Sequence, residues 1–344
     1  MLRVDSTKPC QIVYSLCKHE FLGYLIEPHM VQLNPHGDFS LTYQRLFSHT
    51  ADEFSKYLTE NDLKLIKVLD EIEQDFIIKK YYKKAIRPTE FFTKFFDEKF
   101  YDKVRPRIEK RLAEVLTNAT LTDFLYLMGK DGWPAERKLC IAVEPATILF
   151  HFRKNSYETR YFPTIKYQGM RIDFMFKDAQ VVSNQPAWLL LEDVLYFFEQ
   201  NIEGKKLQPF LNKRYITIPK TSEETYFDRF VGPLIEKYHV YAEGFEIKTE
   251  QFEPIPVLKV IYVEAGLSQL QLFFKYGEHL FPVETDKKVS VKVERHEEEY
   301  IFKRIKRKAD WEKNTIAELV KIGLKKTSPP SSVFDLNKQY VDED

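Results

Sequence analysis

The spacing of apolar residues changes twice along this chain, and those changes constrain its fold more than any other feature. Residues 10–47 contain short apolar runs separated by turn residues, whereas from Thr50 to about residue 118 apolar residues recur at spacings of three and four. The first pattern predicts strands and the second predicts helices. We therefore expect an antiparallel meander followed by a helical block near residues 50–118. The predicted strands of the meander are 11–16, 21–27 and 30–33, with a break at Pro28.

Two capping sequences mark where the first helices of the block should begin. Thr50-x-x-Glu53 has the form of a capping box, and Thr59-x-x-Asp62 follows it. A threonine hydroxyl in this position accepts a hydrogen bond from a free backbone amide of the first helical turn. We expect one helix to begin after each threonine.

The strand pattern returns after residue 134 and continues to about residue 305. One helix interrupts it, with Thr221 as its expected cap and with Pro233, which lacks a backbone donor, expected to kink it or divide it in two. A final helix should end at Gly323. The predicted strands are 139–152, 159–167, 172–176, 188–191, 215–218, 240–247, 257–263, 267–276, 288–293 and 300–305, and the final helix is 310–322.

These patterns predict an α+β fold with mixed, mostly antiparallel sheets. At this length we expect more than one domain. Residues 1–118 would combine the meander with the helical block, and residues 119–325 would form a β-rich α+β domain. Residues 326–344 are polar and contain Ser-Pro-Pro-Ser-Ser, which predicts a linker to a part of the polypeptide beyond this sequence.

Composition narrows the class of protein. Lys and Arg total 52, and Asp and Glu also total 52, so no global charge favours a polyanionic partner. The three cysteines show no CxxC spacing, which fits a reducing, cytoplasmic setting. The apolar runs are shorter than the roughly 20 residues that a membrane-spanning helix needs. We expect a soluble cytoplasmic protein with no membrane partner.

Motifs for catalysis and for cofactors do not match this sequence. The Gly-Lys pairs at 129–130 and 204–205 have Phe124 and Glu199 where a phosphate-binding loop needs glycine. The eight histidines show no zinc-site spacing, and no nucleophile elbow is present. Cys140 lies in an apolar run and is expected to be buried and inert. The sequence therefore predicts no catalytic residue, no metal site and no cofactor.

Two acidic patterns in the sequence resemble magnesium sites. The pair Asp70 and Glu71 follows an apolar run, as in helicase-type ATPases, but its neighbours fit a helical period and predict a solvated helix face. Asp228 with Glu246 and Lys248 fits the residue types of a metal-dependent nuclease. A nuclease-like domain therefore stays an alternative, as does a purely structural interaction module.

Basic clusters are the remaining signal, because Lys and Arg neutralise phosphates and tyrosine rings stack on unpaired bases. One cluster, 79–87, is interleaved with two tyrosines in the helical block. The other two clusters contain the candidate nucleic-acid-binding residues. They are Lys205, Lys206, Lys213, Arg214, Lys303, Arg304, Lys306, Arg307 and Lys308. The competing interpretation is that each run is simply a solvated surface.

Several stretches give the chain a resemblance to one family. They are 12–16, 19–24, 186–191, 204–210, 222–227 and 242–245. With them, the sequence resembles the N-terminal region of large Swi/Snf-type ATP-dependent helicases of the Bacteroides group of bacteria. The similarity extends over most of the chain, but it consists of short stretches typical of the family and includes no catalytic motif.

The resemblance implies an accessory role. In that family the N-terminal region precedes two helicase-like lobes that hydrolyse ATP and translocate on double-stranded DNA. The chain would then be non-catalytic and would position or regulate a C-terminal motor of the same polypeptide, with double-stranded DNA as a further partner. ATP and magnesium are expected only in that motor, toward which the linker 326–344 would lead.

Overall fold

The computed structural model describes residues 3–82, 84–118, 121, 123–199, 201–263, 267–283, 287–297, 299–326 and 333–335. Helices and mixed, mostly antiparallel sheets confirm the predicted α+β class. Within the described ranges, no helix has both the length and the apolar character that crossing a membrane requires.

The bounds of the elements are as follows. The helices are α1 (Glu60–Asp70), α2 (Gln74–Tyr81), α3 (Pro88–Lys94), α4 (Glu98–Leu116), α5 (Lys220–Tyr226), α6 (Gly232–Lys237) and α7 (Ala309–Lys321). The first strands are β1 (Cys10–His19), β2 (Gly23–Leu33), β3 (Phe39–Arg45), β4 (Leu125–Leu127), β5 (Arg137–Lys138), β6 (Cys140–Ile141), β7 (Thr147–Lys154), β8 (Glu158–Tyr167), β9 (Met170–Ile172), β10 (Gln180–Ser183), β11 (Trp188–Leu191) and β12 (Val194–Phe197). The later strands are β13 (Ile216–Pro219), β14 (Val240–Glu243), β15 (Glu246–Gln251), β16 (Pro254–Val263), β17 (Leu267–Tyr276), β18 (His279–Pro282), β19 (Val289–His296), β20 (Glu299–Lys306), β21 (Lys325–Lys326) and β22 (Val333–Asp335).

The chain forms two compact units whose bounds differ from the predicted domains. The first comprises Met1–Ile148 and Pro163–Arg214, and the second comprises Leu149–Phe162 and Tyr215–Asp344. The sequence pattern suggested a boundary near residue 118. In the structure, β4 pairs with β1 in parallel, so the chain after the helical block returns to the first sheet.

The first unit has a sheet in the order β3-β2-β1-β4-β5 and another in the order β10-β11-β12-β6. Helices α1 to α4 fill the predicted helical block. One apolar core joins these elements, and it includes Tyr14 of β1, Ile108 of α4 and Trp188 of β11. Burial on this scale supplies the main stabilising free energy of the unit.

Pro28 does not break its strand, and the prediction of a break there is wrong. β2 runs continuously through it and pairs Pro28 with Tyr14. The Tyr14 amide donates to Phe124 O, away from β2, and Pro28 O accepts from Leu46 N on the opposite side. The pair is therefore a non-hydrogen-bonded one, and the proline removes no hydrogen bond between β1 and β2.

The two predicted caps of the helical block differ in outcome. Thr59 caps α1 as expected, and Asp62 completes a capping box with it, which the sequence pattern assigned to Thr50 and Glu53. Thr50 caps nothing, because its hydroxyl is bonded to the backbone of Phe47, while Glu53 pairs with Arg3. A 3₁₀ turn over Ala51–Tyr57 replaces the expected helix.

The acidic pair at the end of α1 lies on a helix, as predicted, but it is not a solvated face. Asp70 accepts a hydrogen bond from Ser48 N at 3.0 Å. Glu71 accepts hydrogen bonds from Arg107 and Arg111 of α4. Both carboxylates are half-buried and join α1 to its neighbours.

The second unit contains sheets in the orders β13-β8-β7-β14, β15-β20-β19 and β16-β17-β22-β21. A helical segment connects β13 to β14. The predicted division at Pro233 is confirmed, since α5 and α6 are separated by a π-helical turn, Phe227–Val231. The predicted cap is wrong, because Pro219, two residues before Thr221, is at the N-cap position and Thr221 lies inside α5.

The C-terminal elements of the second unit surround their own apolar core. Phe274, Tyr276 and Phe334 are fully buried in it, and Trp311 of α7 packs against it. Helix α7 ends before Gly323, which has a φ of 105°, as predicted. Within the predicted linker 326–344, Lys326 and 333–335 lie in strands, and residues 327–332 and 336–344 lie outside the described residues.

Candidate nucleic-acid interface

The densest basic cluster predicted from the sequence, 303–308, lies on the second half of the central strand β20 and on the two residues after it. Lys303 forms an ion pair with Glu294 of β19 at 2.7 Å, which raises the pKa of Lys303 and lowers that of Glu294. Lys308 is bonded to Glu253 at 2.6 and 2.7 Å. Arg304 is half-buried and Lys306 is exposed. Two of the five cations are thus already paired with carboxylates at the surface.

Arg307 lies inside the second unit and has a structural role. Its Nε and Nη2 donate to Glu312 at 2.8 and 2.6 Å, and Nη2 also donates to Pro282 O at 3.2 Å. Its guanidinium is fully shielded from solvent. As a nucleic-acid contact, Arg307 is therefore excluded by its position.

The second predicted cluster lies in the first unit. Lys205 and Lys206 form a 3₁₀ turn, and Lys213 and Arg214 are exposed in the loop before β13. Lys205 lines a groove of about 700 Å³ together with Lys18 and Tyr101. At its floor, Arg105 is buried against Glu109 at 3.0 Å. Tyr24 and Tyr101 are the aromatic residues among the described residues that line the groove beside Lys205, and these lysines stay candidates.

The third cluster, 79–87, falls on α2 and the segment after it. Lys79 and Lys80 are exposed, and Lys83 lies outside the described residues. The ammonium groups of Lys80 and Lys84 lie over the rings of Phe76 and Tyr82, at 5.6 and 5.7 Å. These contacts belong to the surface of the helical block.

The residues of the nuclease alternative do not form a cluster of ligands. Asp228 is exposed on the π-helical turn, and Lys248 is bonded to Glu246 at 2.8 Å on β15. Across the described part of the chain, no group of three or more His, Cys, Asp or Glu side chains is arranged to hold a metal ion.

Cys140 is exposed, so the prediction of a buried thiol is wrong. It lies on β6, at the end of the sheet order β10-β11-β12-β6. The preceding residue, Leu139, is fully buried. Because successive side chains of a strand point to opposite faces, burying Leu139 exposes its neighbour.

A surface that the sequence patterns did not indicate lies on the sheet β13-β8-β7-β14. Phe162, His151 and Tyr241 lie on the adjacent strands β8, β7 and β14. The ring centroids of Phe162 and His151 are 5.0 Å apart with an interplanar angle of 8°, and those of His151 and Tyr241 are 5.7 Å apart. Tyr241 is 53% exposed and Tyr215, just before β13, is 43% exposed.

Two arginines accompany these rings. The guanidinium of Arg153 lies 5.4 Å from the ring of Phe162, and that of Arg160 lies 4.6 Å from the ring of Tyr215. Both arginines are exposed and each is bonded to a carboxylate, Arg153 to Glu243 at 3.2 Å and Arg160 to Glu158. We call this surface the ring face; it consists of His151, Arg153, Arg160, Phe162, Tyr215 and Tyr241, with Glu158 and Glu243.

The opposite side of the same sheet is fixed by packing. Phe150 and Phe152 are fully buried, and the ring of Phe152 stacks on that of Tyr161 at 5.3 Å. Burial raises the pKa of Tyr161 well above its usual range, so its phenol stays neutral. Phe230 of the π-helical turn packs on Tyr161 at 5.3 Å. The ring face is therefore presented by a rigid sheet, which reduces the entropy lost on binding a ligand.

The alternation of residue types along β7 and β8 indicates part of the ring face in the sequence. In 149–154 and 158–162, polar or aromatic residues alternate with the buried ones, so that His151 and Arg153 share one face, as do Arg160 and Phe162. The apolar character of both segments predicted strands but not which strands are adjacent. The four rings come from three separate parts of the sequence, and only the sheet order brings them together.

Comparisons of the chain with protein-family models, with curated proteins and with solved structures found no match.

Proposed function

We propose that this chain is a non-catalytic accessory region of a bacterial, cytoplasmic Swi/Snf-type DNA translocase and that it contacts nucleic acid through the ring face. The observation that carries the nucleic-acid contact is the placement of four aromatic rings, of which Tyr215 and Tyr241 are exposed, and two exposed arginines on one face of a sheet. Arginine forks bind phosphate in a bidentate manner, and aromatic rings stack on bases.

The stretches that resemble the Swi/Snf family support the accessory role through their positions. Tyr14, Leu16, Trp188 and Phe210 all lie in these stretches and are buried in the first unit. Gly204 belongs to them as well, and a Cβ there would lie 2.5 Å from Val181 Cγ1. The resemblance therefore concerns residues that build a core, which is what a shared accessory fold requires.

A passive contact of this kind would assist a translocating motor by raising its effective concentration on the nucleic acid. When two binding modules are linked, the second binding event becomes intramolecular, with an effective concentration of the order of millimolar for short flexible linkers. The ring face needs no catalysis to supply this effect.

Nucleic-acid contact is tested by titrating the full chain against labelled single-stranded and duplex oligonucleotides at low salt. We expect binding that the double variant Arg153→Ala, Arg160→Ala weakens. Two further double variants, one from each cluster predicted from the sequence, are compared with it. They are Lys205→Ala with Lys213→Ala, and Lys303→Ala with Lys306→Ala. Absence of binding to either form at roughly 50 mM salt contradicts the proposed contact.

The link to a motor has a separate test. We expect the gene to encode a Walker phosphate-binding loop after Asp344, and we expect the motor, expressed on its own, to bind this chain in a pull-down. An open reading frame that ends without a motor contradicts the accessory role, whatever the chain binds.

A further inference from the structure

The ring face offers two exposed rings for stacking, and both are tyrosines. His151 stacks on Phe162 with the ring centroids 5.0 Å apart and an interplanar angle of 8°, so these two half-buried rings leave no room for a base between them. Tyr241 and Tyr215, which are 53% and 43% exposed, are open to an unpaired base. In a duplex, the bases are stacked on one another and cannot reach a sheet surface.

The two arginines occupy positions that favour an anion between them. Asn155 N donates to Glu158 O at 3.0 Å at the end of the β7–β8 hairpin. Counting back along both strands from this bond places Arg153 opposite Arg160. Like charges directly opposite each other on a sheet are destabilising, and a phosphate between them would remove that repulsion.

The carboxylates of the ring face do not prevent a phosphate from binding to the two arginines. Glu243 and Glu158 hold the two arginines in ion pairs whose arginine side chains are 61% and 47% exposed. Exposed ion pairs contribute little free energy, so a phosphate can replace a carboxylate at small cost.

We propose that the ring face binds single-stranded nucleic acid, with bases stacked on Tyr215 and Tyr241 and phosphates held by Arg153 and Arg160. This inference rests on the proposed function, because it names the form of nucleic acid that the same surface takes.

The experiment compares four probes on the full chain: an oligothymidine and an oligouridine of about 12 nucleotides, and a DNA and an RNA duplex of the same length. We expect the single strands to bind about tenfold or more tightly than the duplexes. Ring-dependent binding of either single strand supports the inference, and the better of the two identifies the sugar.

Ring variants provide the specific test. Tyr241→Ala is expected to weaken single-strand binding about tenfold, and Tyr241→Phe to retain it, because stacking uses the ring and not the hydroxyl. Tyr215→Ala should act in the same way. Phe176→Ala is the matched control, since Phe176 is 60% exposed and lies outside the ring face. Tyr241 is itself exposed, so its substitution leaves the core intact.

The outcomes separate the two proposals. If duplex and single strand bind equally, and if the ring variants bind as the parent does while the arginine double variant binds more weakly, the single-strand inference is wrong and the proposed nucleic-acid contact stands. If no probe binds, both are wrong.

Discussion

Arg307 and Glu312 form a bidentate ion pair inside the second unit, with Nε 2.8 Å from Oε1 and Nη2 2.6 Å from Oε2. The Tyr276 hydroxyl donates to the same carboxylate at 2.5 Å and accepts from Lys308 N at 2.9 Å. The pair thereby joins the start of α7 to β17. This network explains why a basic run that suggested a phosphate-binding surface instead holds the unit together.

Arg307→Ala should lower the free energy of unfolding by about 3–5 kcal/mol, because it leaves Glu312 buried without its cation. Urea titration measures the change. Lys306→Ala, at the exposed neighbouring position, should change it by less than about 0.5 kcal/mol. Replacing both partners, as in Arg307→Met with Glu312→Leu, should cost less than Arg307→Ala alone. Equal effects of Arg307→Ala and Lys306→Ala would show that the buried pair does not stabilise the unit.

Gly204→Ala should destabilise the first unit by about 1–3 kcal/mol. The added Cβ would lie 2.5 Å from Val181 Cγ1 and 2.7 Å from Ser183 O, and the backbone oxygen cannot move aside easily. Thermal unfolding measures the loss. Gly169→Asn is the matched control, because Gly169 has a φ of 78° with no atom near its Cβ position and asparagine tolerates that conformation. A Gly204→Ala variant as stable as the parent contradicts the close approach.

Stability should fall between about pH 6.5 and pH 4 in part because of His29. Its burial, with Arg45 nearby, lowers its pKa to about 4. The unfolded chain, with a histidine pKa of about 6.5, binds the proton first as the pH falls, so the contribution is full above pH 6.5 and is lost toward pH 4. The loss is about 3 kcal/mol.

The neutral tautomer of His29 follows from its neighbours. Nδ1 of His29 lies 3.1 Å from Ser15 Oγ and 3.1 Å from Glu27 O. Ser15 Oγ donates its hydrogen to Pro134 O, and a carbonyl oxygen can only accept, so Nδ1 carries the proton and is the donor to Glu27 O. His29→Gln should remove this part of the pH dependence. If urea titrations of the parent and the variant show the same slope of stability against pH, His29 does not titrate as described.

Cys140 should be the first thiol to react with a maleimide in the native protein. It is exposed, whereas burial raises the pKa of Cys10 to about 11 and that of Cys17 well above its usual range. Since the thiolate is the reactive form, Cys10 and Cys17, whose pKa values are raised, should react only after unfolding. Mass spectrometry of peptides gives the order of labelling. Modification of Cys17 at the rate of Cys140 contradicts the packing around β1.

Local patterns predicted those elements whose ends are set by neighbouring residues. β11 and β17 have the predicted bounds, and α7 ends before Gly323 as expected. Thr59 caps α1 because Asp62 completes the box with one carboxylate oxygen, while its other oxygen accepts from the Tyr14 hydroxyl. Thr50 has the same local pattern and fails, since Phe47 uses its hydroxyl and Arg3 uses Glu53. Those competing bonds come from tertiary structure, which a capping pattern does not contain.

The candidate site was harder to predict for a related reason. Charge runs along the sequence identified 303–308, but neighbouring elements supply Glu294, Glu253 and Glu312 as partners. The ring face does not form one run in the sequence, because its members extend from His151 to Glu243. A surface built across strands depends on sheet order, which periodicity alone does not give.

The salt dependence of single-strand binding tests the ring face most directly. Each phosphate contact contributes about 0.7 to the slope of log affinity against log salt on single strands. The double variant Arg153→Ala, Arg160→Ala should therefore reduce the slope by about 1.4, while Lys303→Ala, Lys306→Ala leaves it unchanged. A slope that falls in the lysine double variant and not in the arginine one would place the phosphate contacts elsewhere and contradict the account.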